Sequence, residues 1–118
     1  MKGTTEMTAL ANQIYKQLLR RLRSSNPSIT YGELAAAVSV HHRNPHFLSA
    51  LGEVTTACRG HDLPCLPAIV WSASMCRPAD GYYLVAHPRA KGEKSRVAAW
   101  QREQERLVRE ADRFPRTL

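Results

Sequence analysis

Thr30 and Glu33 fix where one helix of this chain begins, and that start constrains what lies on either side. In Ser28-Ile29-Thr30-Tyr31-Gly32-Glu33-Leu34-Ala35 the Thr30 hydroxyl is placed to accept the Glu33 amide, and the Glu33 carboxylate to accept the Thr30 amide. Ile29 and Leu34 are spaced as the hydrophobic staple of such a capping box. Pro27 disfavours helical geometry at Asn26, so any helix upstream must stop before it. The capped helix itself is short and ends near Ser39.

The upstream segment, from about Thr5 to Arg23, carries Met7, Leu10, Ala11, Ile14, Leu18 and Leu22 at spacings of three and four. That pattern predicts an amphipathic helix with Lys16, Arg20, Arg21 and Arg23 off its apolar stripe. Downstream, Asn44 is suited to cap and Pro45 to the first helical position. A third helix is expected from about Pro45 to Arg59, burying Phe47, Leu51, Val54 and Cys58, with Gly60 as its stop. The prolines of His61-Asp62-Leu63-Pro64-Cys65-Leu66-Pro67 exclude regular helix. Segments 68–75 and 82–86 read as strands around the turn-forming Arg77-Pro78-Ala79-Asp80-Gly81, which predicts a hairpin. A final helix is expected from about Ser95 to Arg113, with Val97, Trp100, Leu107, Val108, Ala111 and Phe114 on its apolar face.

This order predicts an α+β fold: a winged helix-turn-helix of three helices plus a β-hairpin, with an added C-terminal helix. The 118 residues suit a single domain spanning 1–118, with helix 95–114 packed on it or used for association. No apolar run approaches the ~18 residues of a membrane span, and the N-terminus lacks the apolar stretch of a secretory signal. A cytoplasmic location is the expectation.

Seventeen Lys and Arg against ten Asp and Glu give a net charge of +7. Phosphate polyanions are the usual partners of such a balance, because binding releases their condensed counterions. A third helix entering a groove would bring Arg43, Asn44, His46 and Ser49 to base edges, with His41 and His42 against phosphates and Arg59 at its far end. Arg77 would serve from the hairpin loop. Arg89 and Lys91 stand in the basic loop that follows, with His87, Lys94 and Arg96.

Cys58, Cys65 and Cys76 are an odd set, which argues against a disulfide framework. With His61, His42 and His46 they match no familiar spacing of zinc ligands, so no metal or other cofactor is expected. No nucleophile–base order, glycine-rich phosphate loop or paired-carboxylate motif stands out.

The stretch from Ile14 to about Tyr83 resembles the DNA-binding C-terminal domain of the O6-alkylguanine-DNA alkyltransferases and the alkyltransferase-like proteins. Thr30-Tyr31-Gly32-Glu33-Leu34-Ala35, Ala50-Leu51-Gly52, Arg59-Gly60, Pro64-Cys65, Ile69-Val70 and Gly81-Tyr82 follow that family's order. The resemblance implies a winged helix-turn-helix, with Tyr31 near DNA phosphate and Gly52 allowing close approach to the minor groove. It departs at the active-site motif. Pro64-Cys65 is followed by Leu66-Pro67 where the family has His-Arg. Setting Pro67 on the motif's proline instead puts Ala68 at the cysteine position. Either way the histidine that would activate a thiol and the following arginine are missing.

The sequence therefore points to a non-catalytic DNA-binding protein, with DNA ahead of RNA as partner, in repair, regulation or mobile-element defence. The alternative is a protein-interaction module, an adaptor or inhibitor on the same scaffold, meeting a partner or a second copy through the C-terminal helix.

Overall fold

In the computed structural model, which describes residues 7–118, the capping box is present. Thr30 Oγ1 accepts the Glu33 N–H at 3.1 Å, and Glu33 Oε1 accepts the Thr30 N–H at 2.9 Å. The expected start of the first helix near Thr5 lies outside the described residues. Helix α1 runs Ala9–Leu22, capped by the Thr8 side chain. Its buried face adds Tyr15 and Leu19 to the expected Ala11, Ile14, Leu18 and Leu22. Strand β1 is only Ile29–Thr30, and helix α2 follows as Tyr31–Ala37. Asn44 caps helix α3, Pro45–Gly60, through the His46 N–H at 2.9 Å. As expected, Phe47, Leu51, Val54 and Cys58 are buried, now joined by Ala50 and Thr55.

The hairpin is the main correction. Leu66–Ile69 forms a 3-10 turn and only Val70–Trp71 is strand, β2. Its partner is β1, in parallel, with Ile29 opposite Val70 and Thr30 opposite Trp71. The second expected strand is instead helix α4, Asp80–Ala86. A short apolar run such as 82–86 fits strand or helix equally by periodicity, and tertiary context decides. Here β2 already pairs with β1. The run therefore coils, burying Tyr82 and Tyr83 and leaving Leu84 65% exposed. What remains of the hairpin is a loop closed by one antiparallel bridge between Ser72 and Arg77.

A parallel pair needs a long crossover between its strands, and α2 and α3 supply it. One buried cluster joins all these elements, built on Ile14, Tyr15, Leu18, Leu34, Phe47, Val54 and Leu66. The radius of gyration, 13.3 Å, matches the ~13.5 Å expected of one compact body this long.

Helix α5 spans Glu93–Arg109, starting two residues before expectation, and a 3-10 turn covers Ala111–Arg113. It packs on the rest of the chain. Leu107 and Phe114 are in the core, Trp100 Nε1–H donates to the Ala68 carbonyl at 2.7 Å, and Glu103 accepts the Cys65 N–H at 2.6 Å. Tyr15 donates its hydroxyl to the Pro115 carbonyl, and Arg23 donates to that of Phe114 at 3.0 Å. Val108, expected on the apolar face, is 67% exposed. No helix among the described residues is long and apolar enough to cross a membrane.

The cap sets two expectations. Thr30→Ala should lower unfolding free energy by about 1 kcal/mol, measured by urea denaturation. The Thr30 hydrogen bonds hold the Glu33 carboxyl below its ordinary range. Its stabilisation is therefore present at neutral pH and lost as pH falls through that range. The stability gap between wild type and Glu33→Ala should narrow on going from pH 7 to about pH 3.

Candidate nucleic-acid interface and its pocket

Helix α3 divides its residues between two jobs. One face is in the core. The other, with His46, Leu48 and Ser49, is exposed, and the preceding turn adds exposed His41, His42 and Arg43. Nothing in the core needs these six side chains. They make one continuous surface because three- and four-residue spacing returns to the same side of a helix.

Beside that face lies a pocket of about 440 Å³, walled by α3 on one side and by Tyr31, Pro67, Val70 and the start of α4 on the other. Leu48 and Leu84, 49% and 65% exposed, line it from α3 and α4 respectively. Its walls are mostly apolar, and no cysteine, histidine or carboxylate is among its described lining residues. The size and lining fit a small-molecule or single-ring site. Three of its polar groups have partners already. The Tyr31 hydroxyl accepts the Ala79 N–H at 2.9 Å, Tyr82 pairs with His87 Nε2 at 2.9 Å, and the Thr55 hydroxyl donates to the Leu51 carbonyl at 3.2 Å. Burial raises the Tyr31 phenol above its ordinary range, against the opposing Ala79 hydrogen bond, and burial likewise raises that of Tyr82. Both stay neutral hydrogen-bonding groups.

Gly52 lines the pocket from the middle of α3. A Cβ there would meet nothing within 4 Å, and the backbone is helical. Neither packing nor conformation requires glycine at this position, although glycine inside a helix is less stable than alanine by roughly 0.5–1 kcal/mol. What glycine provides at Gly52 is a backbone that another molecule can approach closely.

The ten residues singled out from sequence separate into two groups. His42, Arg43, His46, Ser49, Arg89 and Lys91 are exposed. The other four have internal work. Tyr31 is part of the pocket wall, bonded to Ala79, and Asn44 is the α3 cap. Arg59 donates to the Val85 carbonyl at 2.7 Å, which ties α3 to the end of α4. Arg77 pairs with Glu93 at 2.6 Å, its side chain only 14% exposed, and lies 5.8 Å over the Tyr83 ring. Sequence reasoning missed Leu48, Tyr82 and Leu84. Leu48 did leave a signal: it is an apolar residue one step out of register with the buried stripe.

Cys65, the residue nearest to a catalytic motif, is turned away from the pocket. It is 4% exposed against α5. Burial first, then the Glu103 carboxylate, pushes its thiol up to about 12, and burial pushes Cys58 up to about 11. Neither forms a thiolate at neutral pH, and the thiolate is the nucleophile. No three metal-binding side chains converge among the described residues.

No protein-family model, curated protein or solved structure matches this chain.

Thiol labelling checks the burial directly. With a disulfide reagent at neutral pH, the folded protein should give one fast equivalent, from exposed Cys76. Cys58 and Cys65 should react only on unfolding, and Cys76→Ser should abolish the fast phase.

Proposed function

We propose that this protein binds DNA through the exposed face of α3 and receives an unstacked base in the adjoining pocket, without altering it chemically. The observation that carries this reading is the juxtaposition: the basic, solvent-facing surface of α3 is also one wall of an apolar pocket of base-accepting size. A flipped base is held by stacking against aromatic and apolar side chains, and Tyr31, Tyr82, Leu48 and Leu84 offer such surfaces. The positive charge supplies the electrostatic attraction common to all DNA sequences.

The exposed face is poor in groups that read base edges. Bidentate readout uses Arg, Lys, Asn or Gln. On and before α3, Asn44 is occupied as the cap, Arg59 is tied to Val85, and Arg43 is the remaining candidate. Binding by phosphate contact and shape, with little sequence preference, follows from that inventory. Ser49, Gly52 and Thr56 make the centre of the face small, which suits close helix approach.

The resemblance to the alkyltransferase DNA-binding domains supports the same reading, with the loop 72–77 standing where a wing would be. The chain keeps the elements that dock and lacks the histidine and arginine that would act on a thiol. The alternative, association through the C-terminal helix, has lost its main support. Trp100, Leu107 and Phe114 are engaged with the chain's own core.

Fluorescence anisotropy with labelled duplexes tests the interface. Wild type should bind with a steep salt dependence. Arg43→Ala with His46→Ala should weaken binding of every sequence alike and reduce the salt slope by about 0.9 for each phosphate no longer neutralised. Binding that the double variant leaves untouched would overturn the α3 assignment. Gly52→Ala separates stability from binding: its melting temperature should rise, in line with the roughly 0.5–1 kcal/mol expected, while DNA affinity falls. A duplex with 2-aminopurine at a mismatch should brighten on binding as the base unstacks. Gly52→Phe should suppress that signal by filling the pocket.

A further inference from the structure

Histidines crowd the end of the molecule where α3 begins. His41 and His42 stand in the turn before it and His46 in its first turn, all exposed. The His41 and His42 rings are stacked, with centroids 4.6 Å apart and planes 22° from parallel. The turn is braced by two hydrogen bonds to His41. Its Nδ1 accepts the Arg43 N–H at 3.1 Å, and its carbonyl accepts the Asn44 N–H at 2.9 Å.

An Nδ1 that accepts a hydrogen bond carries no proton, so this geometry holds His41 neutral, with its proton on Nε2. A second proton has Nδ1 as its only destination and displaces the Arg43 N–H. Two imidazolium rings stacked at 4.6 Å also repel each other. The other charged group on this turn is Arg43, and the next is His46 at the start of α3. Both add positive charge or none. Among the described residues, no carboxylate from α1, α2, α4 or α5 forms an ion pair with any of the three histidines. A negative charge to offset protonation of the pair therefore has to come from a ligand. A phosphodiester laid against the two rings supplies it, and accepts hydrogen bonds from both.

We propose that the stacked His41–His42 pair is a proton-coupled phosphate clamp, so that DNA binding takes up protons at this pair and strengthens as pH falls. The inference rests on the reading that this end of α3 meets DNA, and it adds the regulation of that site. Histidine is the side chain whose charge changes within about pH 5 to 8. By linkage, a ligand that favours the protonated form is itself bound more tightly at lower pH.

The test is duplex titration by anisotropy at about pH 6 and about pH 8, each at several salt concentrations. It is paired with calorimetry in two buffers of different ionisation enthalpy to count protons taken up. Wild type should bind at least about fivefold more tightly at the lower pH, with a salt slope steeper by about 0.9 for each histidine that becomes charged. Calorimetry should register net proton uptake. His41→Gln with His42→Gln should bind with one affinity at both pH values and take up fewer protons. His41→Lys with His42→Lys, charged throughout, should bind at the higher pH as wild type does at the lower. Circular dichroism on each variant checks that the fold is kept. Binding with the same affinity and slope at both pH values overturns the clamp while leaving the DNA interface standing. So does a pH dependence that survives in the glutamine variant. Absence of binding at either pH and the lowest salt overturns both.

Discussion

The pairing of Ile29–Thr30 with Val70–Trp71 is two residues long on each side, yet the rest of the candidate site depends on it. Because the strands are parallel, the chain must leave β1, build α2 and α3, and return alongside. That return sets the 3-10 turn and Pro67 next to Tyr31, and lets the Tyr31 hydroxyl hold the Ala79 backbone at 2.9 Å. The pocket is the space left between the outgoing helix α3 and the returning segment. An antiparallel hairpin of 68–75 with 82–86 would have carried Tyr82 and Leu84 into a sheet and left α3 with a bare flank.

Three polar anchors then hold the two sides of the pocket in place. Tyr31 fixes the entry to α4, Arg59 fixes its exit through the Val85 carbonyl, and the Tyr82–His87 contact fixes its inner face. Each joins a side chain to an element far along the chain or to the end of its own helix. Arg59 shows how a positive charge on a helix can be structural. A cation near the C-terminal end of α4 meets the partial negative charge of its last carbonyls. That role commits part of the guanidinium to the fold while the side chain stays at the surface.

Features decided locally were legible in the sequence, and those that require folding were hidden. The Thr30–Glu33 box, the Asn44–Pro45 start and the buried stripe of α3 can be read because each is decided within a few neighbouring residues. The second strand cannot. Segment 82–86 suits either conformation, and only the prior claim of β1 on β2 resolves it. The pocket is likewise invisible, since Tyr31 and Tyr82 meet only through the crossover. Of the candidate contacts, His42, Arg43, His46 and Ser49 come together because they share one turn and one helix face. Arg77 and Arg59 read from sequence as DNA contacts because their partners, Glu93 and the Val85 carbonyl, are distant along the chain.

The same geometry explains why binding, rather than chemistry, is the reading that fits. A nucleophile for a pocketed base would have to line the pocket, carry a base within reach and ionise near neutral pH. Cys65 meets none of these conditions. Its backbone N–H is held by Glu103, its thiol is buried beside that carboxylate, and the pocket wall at this part of the chain is Pro67. The one carboxylate beside the thiol is a clamp for α5 rather than a base: it raises the thiol while it anchors the helix. Converting this chain to a transferase would therefore take more than restoring a histidine and an arginine after Cys65. A cysteine would have to enter at the Pro67 wall, where the Glu103 carboxylate no longer holds the backbone and the pocket is open to a ligand.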